Sequence, residues 1–116
     1  MNRKTPLAVL LALIWPLAAS AHAMLQHATP SAGAVVRGSP AQVHLDFSEQ
    51  LEPLFSGVTV ADDRGRSVMS SEAAVSGMTM TVKLNRLHPG RYHVQWHAVS
   101  VDTHRTEGAY SFTVEP

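Results

Sequence analysis

Apolar and polar residues alternate strictly along several short stretches of this chain, and this alternation constrains its fold more than any other feature. In Gln42–Phe47, valine, leucine and phenylalanine occupy every second position, with His44 and Asp46 between them. Successive side chains of a β-strand point to opposite faces of the sheet, so a period of two predicts a strand with one buried face. The stretch is therefore predicted to be a half-buried strand.

Similar stretches recur along the chain, with turn sequences between them. They are Val58 and Val60 before the turn at residues 62–65, then Met80, Val82 and Leu84, then Tyr92, Val94 and Trp96 after a His-Pro-Gly turn, and finally residues 109–114. No stretch repeats its apolar residues at the helical spacing of about 3.6. Short strands, frequent turns and no helix predict an all-β fold, an immunoglobulin-like Greek-key β-sandwich of about seven strands.

The N-terminus has the composition of an export signal. Arg3 and Lys4 precede an apolar run at residues 7–19. This run of 13 residues is shorter than a membrane-spanning helix, which needs about 20. A basic start followed by a short apolar run predicts a secretory signal peptide.

Two cleavage positions fit the rule that small residues occupy the first and third positions before the cut. The alanine-serine-alanine sequence at residues 19–21 predicts a signal peptide of residues 1–21 and a mature domain of residues 22–116. Cleavage two residues later would leave Met24 first. The composition leaves both positions open.

The composition excludes several classes of function. Removing 21 of the 116 residues leaves 95, which is enough for one domain. Nine acidic residues then face seven basic ones, so neither nucleic acid nor an anionic membrane is an expected partner, and we expect a monomer. The chain has no cysteine, which rules out disulfides, thiolate metal sites and cysteine nucleophiles.

Cleavage after residue 21 would make His22 the first residue of the mature protein. An N-terminal histidine offers its α-amine and its imidazole to the same ion, and the amine has a pKa of only about 8. Asp102 and His104, two positions apart, share a face if the segment is extended and could add a carboxylate and a second imidazole. This set of three nitrogens and one oxygen suits Cu(II), although Zn(II) accepts the same donors. Binding should compete with protons, because the nitrogen donors must be unprotonated.

From His22 to its end, the sequence contains a series of short motifs. These are His22-Ala23-Met24-Leu25, Thr29-Pro30-Ser31-Ala32-Gly33, Leu45-Asp46-Phe47-Ser48-Glu49, Phe55-Ser56-Gly57-Val58, Gly90-Arg91-Tyr92-His93-Val94-Gln95-Trp96, and Val99-Ser100-Val101-Asp102-Thr103-His104 with Gly108 and Phe112. In the order and spacing of these motifs, the sequence resembles the CopC family of periplasmic copper-binding proteins.

The resemblance implies one Cu(II) ion held by His22, Asp102 and His104, with Glu49 supporting the site without binding the metal. It also favours cleavage before His22. It implies a periplasmic carrier without enzymatic activity, which sequesters copper for resistance or delivers it to a CopD-type inner-membrane protein. We expect the N-terminus to be mobile without metal and to close on the ion.

The other histidines and methionines are given structural roles. His44, His93 and His97 are expected on the polar faces of strands, His88 in a turn, and His27 in a mainly structural position, although a bend in the first strand would bring it near the site. Some CopC proteins bind Cu(I) through a methionine-rich loop. Here Met69, Met78 and Met80 are too few and Met80 is in phase with core residues, so we expect no strong Cu(I) site.

Two other functions stay open at this stage. One is a small copper-dependent oxidase, since a mature N-terminal histidine with a second histidine resembles the histidine brace of polysaccharide monooxygenases. The short chain leaves little room for the broad substrate surface of such enzymes. The other is an immunoglobulin-like adhesion or assembly module without metal, in which His22 and the Asp-x-His pair would be incidental.

Overall fold

The computed structural model of this protein describes residues 22–116, which form eight strands and one turn of 3-10 helix at Pro53–Phe55. The strands are β1 (Leu25–Thr29), β2 (Val35–Arg37), β3 (Gln42–Phe47), β4 (Gly57–Asp62), β5 (Ala74–Ser76), β6 (Thr79–Lys83), β7 (Gly90–Val99) and β8 (Arg105–Glu115). No helix in this part of the chain is long and apolar enough to cross a membrane. The predicted signal peptide, residues 1–21, lies outside the described residues.

Two four-stranded sheets make up the domain. The first has the order β1-β3-β6-β5 and the second the order β2-β8-β7-β4. All neighbours are antiparallel except β2 and β8. Strands that are consecutive in sequence mostly lie in different sheets, so most connections cross from one sheet to the other. The predicted all-β sandwich is confirmed, with eight strands where about seven were expected.

The core lies between the sheets, and the period-two pattern accounts for it. Val43, Leu45 and Phe47 are buried on the inner face of β3, and Tyr92 and Val94 are buried on that of β7. The rest of the core is also apolar: Ala23, Leu51, Val58, Val60, Met80, Val82, Leu84, Leu87, Ala98, Phe112 and Val114. Because the domain has no disulfide, burial of these side chains supplies most of its stability.

Trp96 closes the core at the end where β7 and β8 continue into their connecting loop. Its ring meets Phe47 edge to face, with 5.1 Å between ring centroids. On its other side the ring lies over Gly108, its partner on β8. A β-carbon at Gly108 would be only 2.6 Å from Trp96 Cζ2. The absence of a side chain at residue 108 is therefore what lets the ring pack here.

The Gly108→Ala variant is expected to unfold more easily, by about 1–3 kcal/mol, because the tryptophan ring is confined between Phe47 and the added methyl group. The matched control is Gly57→Ala, whose β-carbon would lie 3.3 Å from Cε1 of the half-buried His97 ring, which can turn aside. That control should change stability by no more than about 0.5 kcal/mol. Urea denaturation followed by tryptophan fluorescence measures both, and equal effects would contradict this packing.

Candidate metal centre

The loop between β7 and β8 brings Asp102 and His104 together. Val99 pairs with Arg105, so residues 100–104 form the loop of the hairpin. Nδ1 of His104 lies 3.4 Å from Oδ1 of Asp102. We expected these two residues to share one face of an extended segment, and the structure corrects this: a tight loop places their side chains near each other.

The conformation of this loop is fixed by backbone hydrogen bonds and by one unusual residue. The Ser100 amide donates to the His104 carbonyl at 3.0 Å, and the Thr103 amide donates to the Ser100 carbonyl at 2.7 Å. Thr103 adopts a φ of 75°. A β-branched residue rarely occupies this left-handed region, and such strain is concentrated at functional sites. It lies between the two candidate ligands.

The Ser100 hydroxyl stabilises the charged form of the Asp102 carboxylate. Ser100 is 1% exposed, and its hydroxyl donates a hydrogen bond to Oδ1 of Asp102. This hydrogen bond, with smaller contributions from His104, lowers the pKa of Asp102 below its ordinary value, against a partial desolvation that raises it. Asp102 is therefore an anion at any pH at which histidine is free to bind a metal.

His22 lies beside His104, although the two are 82 positions apart in the sequence. Their ring centroids are 4.6 Å apart and their planes are inclined by 51°. Hydrogen bonds and burial hold the residues that follow His22. Ala23 is completely buried, and its carbonyl accepts a hydrogen bond of 2.7 Å from the Thr106 hydroxyl on β8. The next amide, that of Met24, donates to Ser48 Oγ at 2.9 Å.

Ala23 and Met24 are held against β8 and the end of β3. The expected mobility of the N-terminus without metal stays a prediction. The backbone nitrogen of His22 can bind a metal as an amine only after signal cleavage. Until the bond to residue 21 is cut, that nitrogen is a peptide nitrogen and cannot act as an amine ligand.

Glu49 lies between the two segments that form the site. It is half-buried. The preceding residue, Ser48, contacts the N-terminal segment, and the carbonyl of the following residue, Gln50, accepts a hydrogen bond from Val101 at 3.1 Å. Within residues 22–116, no ion pair joins its carboxylate to a candidate ligand. Its backbone therefore helps to join the two segments.

The three candidate ligands are neighbours but do not enclose an ion. His104 contacts both His22 and Asp102, yet in residues 22–116 no three side chains of histidine, aspartate or glutamate converge closely enough to hold a metal. The donors are nevertheless two imidazoles and a carboxylate, to which cleavage would add an amine. Three nitrogens and one oxygen fit the preference of Cu(II).

The structure gives the remaining histidines polar surroundings away from this site. Nε2 of His44 bonds to Asp46, and Nε2 of His93 bonds to Asp63, both on outer faces of the sheets. His27 is exposed on β1, where it pairs across the sheet with Asp46. It therefore lies on the outer face of the first sheet, and its predicted structural role stays a prediction.

The methionines of the middle segment divide between core and surface. Met80 is completely buried, as its phase predicted. Met69 is half-buried, and its sulfur accepts a hydrogen bond of 3.4 Å from the Val60 amide. Only Met78 is largely exposed. The expected absence of a strong Cu(I) site stays a prediction.

Ser48, Ser100 and Thr106 had no assigned role in the sequence. Ser100 lies two residues before Asp102 in the most specific motif of the CopC resemblance. Its place in that motif is the only feature of the sequence that could have indicated a role at the site. Ser48 lies inside another motif of that resemblance, but its contact with the N-terminal segment, like that of Thr106, depends on folding and is not visible in the sequence.

Comparison with known proteins agrees with the resemblance in the motifs. The chain is 38% identical over 99 residues to protein YobA of Escherichia coli K12, covering 82% of this chain and 80% of that protein. It is 39% identical over 106 residues to copper resistance protein C of Pseudomonas syringae pv. tomato, covering 84% and 83%. The fold is similar to the crystal structure of CopC from Methylosinus trichosporium OB3b, with a TM-score of 0.76 and 35% identity over 82% of this chain and 95% of that one. Residues 25–115 match the CopC domain, and the chain therefore belongs to the CopC family.

Proposed function

We propose that this protein is a periplasmic carrier that binds one Cu(II) ion between its mature N-terminal His22 and the hairpin loop that holds Asp102 and His104. The observation that carries the proposal is the distance of 4.6 Å between the rings of His22 and His104. Neither His22 nor His104 belongs to the buried core, so packing does not explain why the two rings are neighbours. Binding of one metal ion by both imidazoles would explain it.

The burial of Ala23 supports cleavage before His22. A cut after Ala23 would remove a residue that is completely buried and that accepts a hydrogen bond from Thr106. A cut after residue 21 retains both the buried residue and the hydrogen bond. It also frees the α-amine at the position where it can join the imidazole of the same residue on one ion.

Each ligand has a distinct part in binding. His22 supplies a chelate whose position is fixed by the residues behind it, so little conformational entropy is lost when the ion binds. His104 supplies an imidazole from the other side. Asp102 supplies a negative charge, which the hydrogen bond from Ser100 stabilises. Copper should therefore be lost in mild acid through protonation of the nitrogen donors, while the carboxylate stays ionised.

The exposure of the site suits transfer to another protein. The side chains of Asp102 and His104 are 47% and 50% exposed, so a partner can approach the ion directly. One of the named relatives is copper resistance protein C. We infer that this chain is not an enzyme, and that it acts as a monomer that exchanges copper with a CopD-type inner-membrane protein, in resistance or in uptake.

Substitution of any one ligand should weaken Cu(II) binding to the chain that begins at His22. His22→Ala, Asp102→Asn and His104→Gln are each expected to reduce the affinity at least about tenfold, because each removes a donor from the ion. Competition against a chelator of known affinity measures this. The control is His97→Gln, on the outer face of β7.

A chain that begins at Leu17 completes this experiment. It retains the imidazole of His22 but places the α-amine five residues away, so it should also bind at least about tenfold more weakly. Unchanged affinity in the His22→Ala variant, or an equal loss in the His97→Gln control, would contradict the proposed ligand set.

The Thr106→Val variant tests how the N-terminal segment is positioned. Valine has nearly the same shape, but the buried Ala23 carbonyl loses its donor, which should cost about 1–3 kcal/mol in stability. Copper should also dissociate faster, because His22 is held less firmly. Stopped-flow transfer to a chelator measures the rate. Thr113→Val, on the outer face of the same strand, is the control, and equal rates in both variants would show that Thr106 has no positioning role.

A further inference from the structure

On the outer face of the first sheet, away from the proposed copper site, His44 contacts Asp46, and His27 pairs with Asp46 from the neighbouring strand. We call His27, His44 and Asp46 the outer cluster. Nε2 of His44 is 2.9 Å from Oδ1 of Asp46, and Nδ1 of His44 is 3.1 Å from Oγ1 of Thr81 on β6. The side chains of His44 and Asp46 are 37% and 40% exposed, so an ion in solution can reach both.

A β-bulge places His27 in this cluster. Leu25 pairs with Phe47 and His27 pairs with Asp46, so Gln26 is an extra residue in β1. In a regular strand, His27 would be on the same face as Leu25, which packs against the core. The bulge instead turns His27 to the outer face, directly opposite Asp46. Bulges often redirect a side chain in this way near functional sites.

We propose that the outer cluster is a binding site for a Zn²⁺ ion, with His27, His44 and Asp46 as ligands and water in the fourth position. Two imidazoles and a carboxylate form a common three-ligand set for zinc. Two ligands at about 2.0–2.1 Å from one ion, at right angles or in a tetrahedral arrangement, lie roughly 2.9–3.4 Å apart. The 2.9 Å between Nε2 of His44 and Oδ1 of Asp46 is the length of a hydrogen bond, and it is also short enough for one zinc ion to bind both atoms once it replaces the proton between them.

Thr81 supports His44 as a ligand. Nε2 donates its proton to the Asp46 carboxylate, which can only accept, and a zinc ion on Nε2 would replace that proton. The ring would then carry its proton on Nδ1, where the Thr81 hydroxyl lies 3.1 Å away and can accept it. Metal-binding histidines usually have such a partner on the second ring nitrogen, which fixes the tautomer and the ring orientation.

The surroundings of the cluster favour a cation. Asp46 and His44 each lie in a row of residues paired across the strands of the first sheet. The other members of these two rows, apart from His27, are uncharged: Thr79 and Ser76 in the row of Asp46, and Thr29, Thr81 and Ala74 in the row of His44. The basic residue of β6, Lys83, pairs with Gln42 at the far end of β3. Among residues 22–116, no three potential ligands converge in the metal-free arrangement. The exposed side chain of His27 must therefore rotate toward Asp46, and directly opposed residues have β-carbons only about 4.5–5.5 Å apart.

The second sheet provides a matched control. There His93 bonds to Asp63 at 2.6 Å and to the Ser111 hydroxyl at 3.1 Å, which repeats the aspartate, histidine and hydroxyl of the first sheet. The cross-strand neighbours of His93 are Ala61 and Ser111, neither of which supplies a third nitrogen or carboxylate ligand. If a histidine-aspartate pair were enough for zinc, both sheets would bind it.

The experiment uses the mature chain carrying His22→Ala and His104→Gln, so that the proposed copper site does not compete for zinc. Titration with Zn²⁺ alone is followed by calorimetry and by the imidazole signals in NMR spectra. We expect one zinc per chain, with shifts of the His27 and His44 signals. His27→Gln, His44→Gln and Asp46→Asn should each weaken binding at least about tenfold, whereas His93→Gln should not.

Several outcomes would overturn the proposal: no zinc bound, shifts at His93 in place of His27 and His44, or affinity unchanged by His27→Gln. The NMR titration needs no variant of the cluster, so a variant that fails to fold does not decide the result. Loss of copper binding at His22 would leave this site untouched, since the two sites share no ligand.

Discussion

The burial of Ala23 beneath β8 decides where the candidate ligands meet. The residue is completely buried and its carbonyl accepts a hydrogen bond from Thr106, which lies two residues after His104. One buried methyl group and one hydrogen bond thus bring the adjoining His22 to the hairpin loop. Separation along the chain would otherwise make this contact costly, because the chain loses entropy when distant segments are joined. This entropy is lost when the sandwich folds, and not when a metal ion binds.

The hairpin loop contributes the second half of the site by a different means. Hydrogen bonds between backbone groups and the left-handed conformation of Thr103 fix its shape, and Ser100 stabilises the charged form of Asp102. The candidate ligands are arranged in advance but still open to solvent. In the proposed copper carrier, prearranged donors would raise the affinity, and the open site would still release its ion to a partner.

Much of the fold could be predicted from the sequence, because β3, β4, β6 and β7 each bury one face and their alternation is therefore strict. The three-residue strands β2 and β5 are too short to give a pattern, and the bulge at Gln26 disturbs the alternation in β1. His22, Asp102 and His104 could be proposed from their donor chemistry and from the resemblance to CopC proteins. That Asp102 and His104 meet in a tight loop could not, because it depends on a threonine with positive φ. The contacts of Ser48 and Thr106 depend on packing between segments that are distant in sequence.

The central claim is that His22 and His104 bind the same copper ion, and pulsed electron paramagnetic resonance of the Cu(II)-loaded mature chain tests it most directly. The method counts the imidazole rings coordinated to the ion. Two coupled imidazoles are predicted, one of which disappears in His22→Ala and the other in His104→Gln. A single imidazole in the unmodified chain, or two that persist in either variant, would contradict the account.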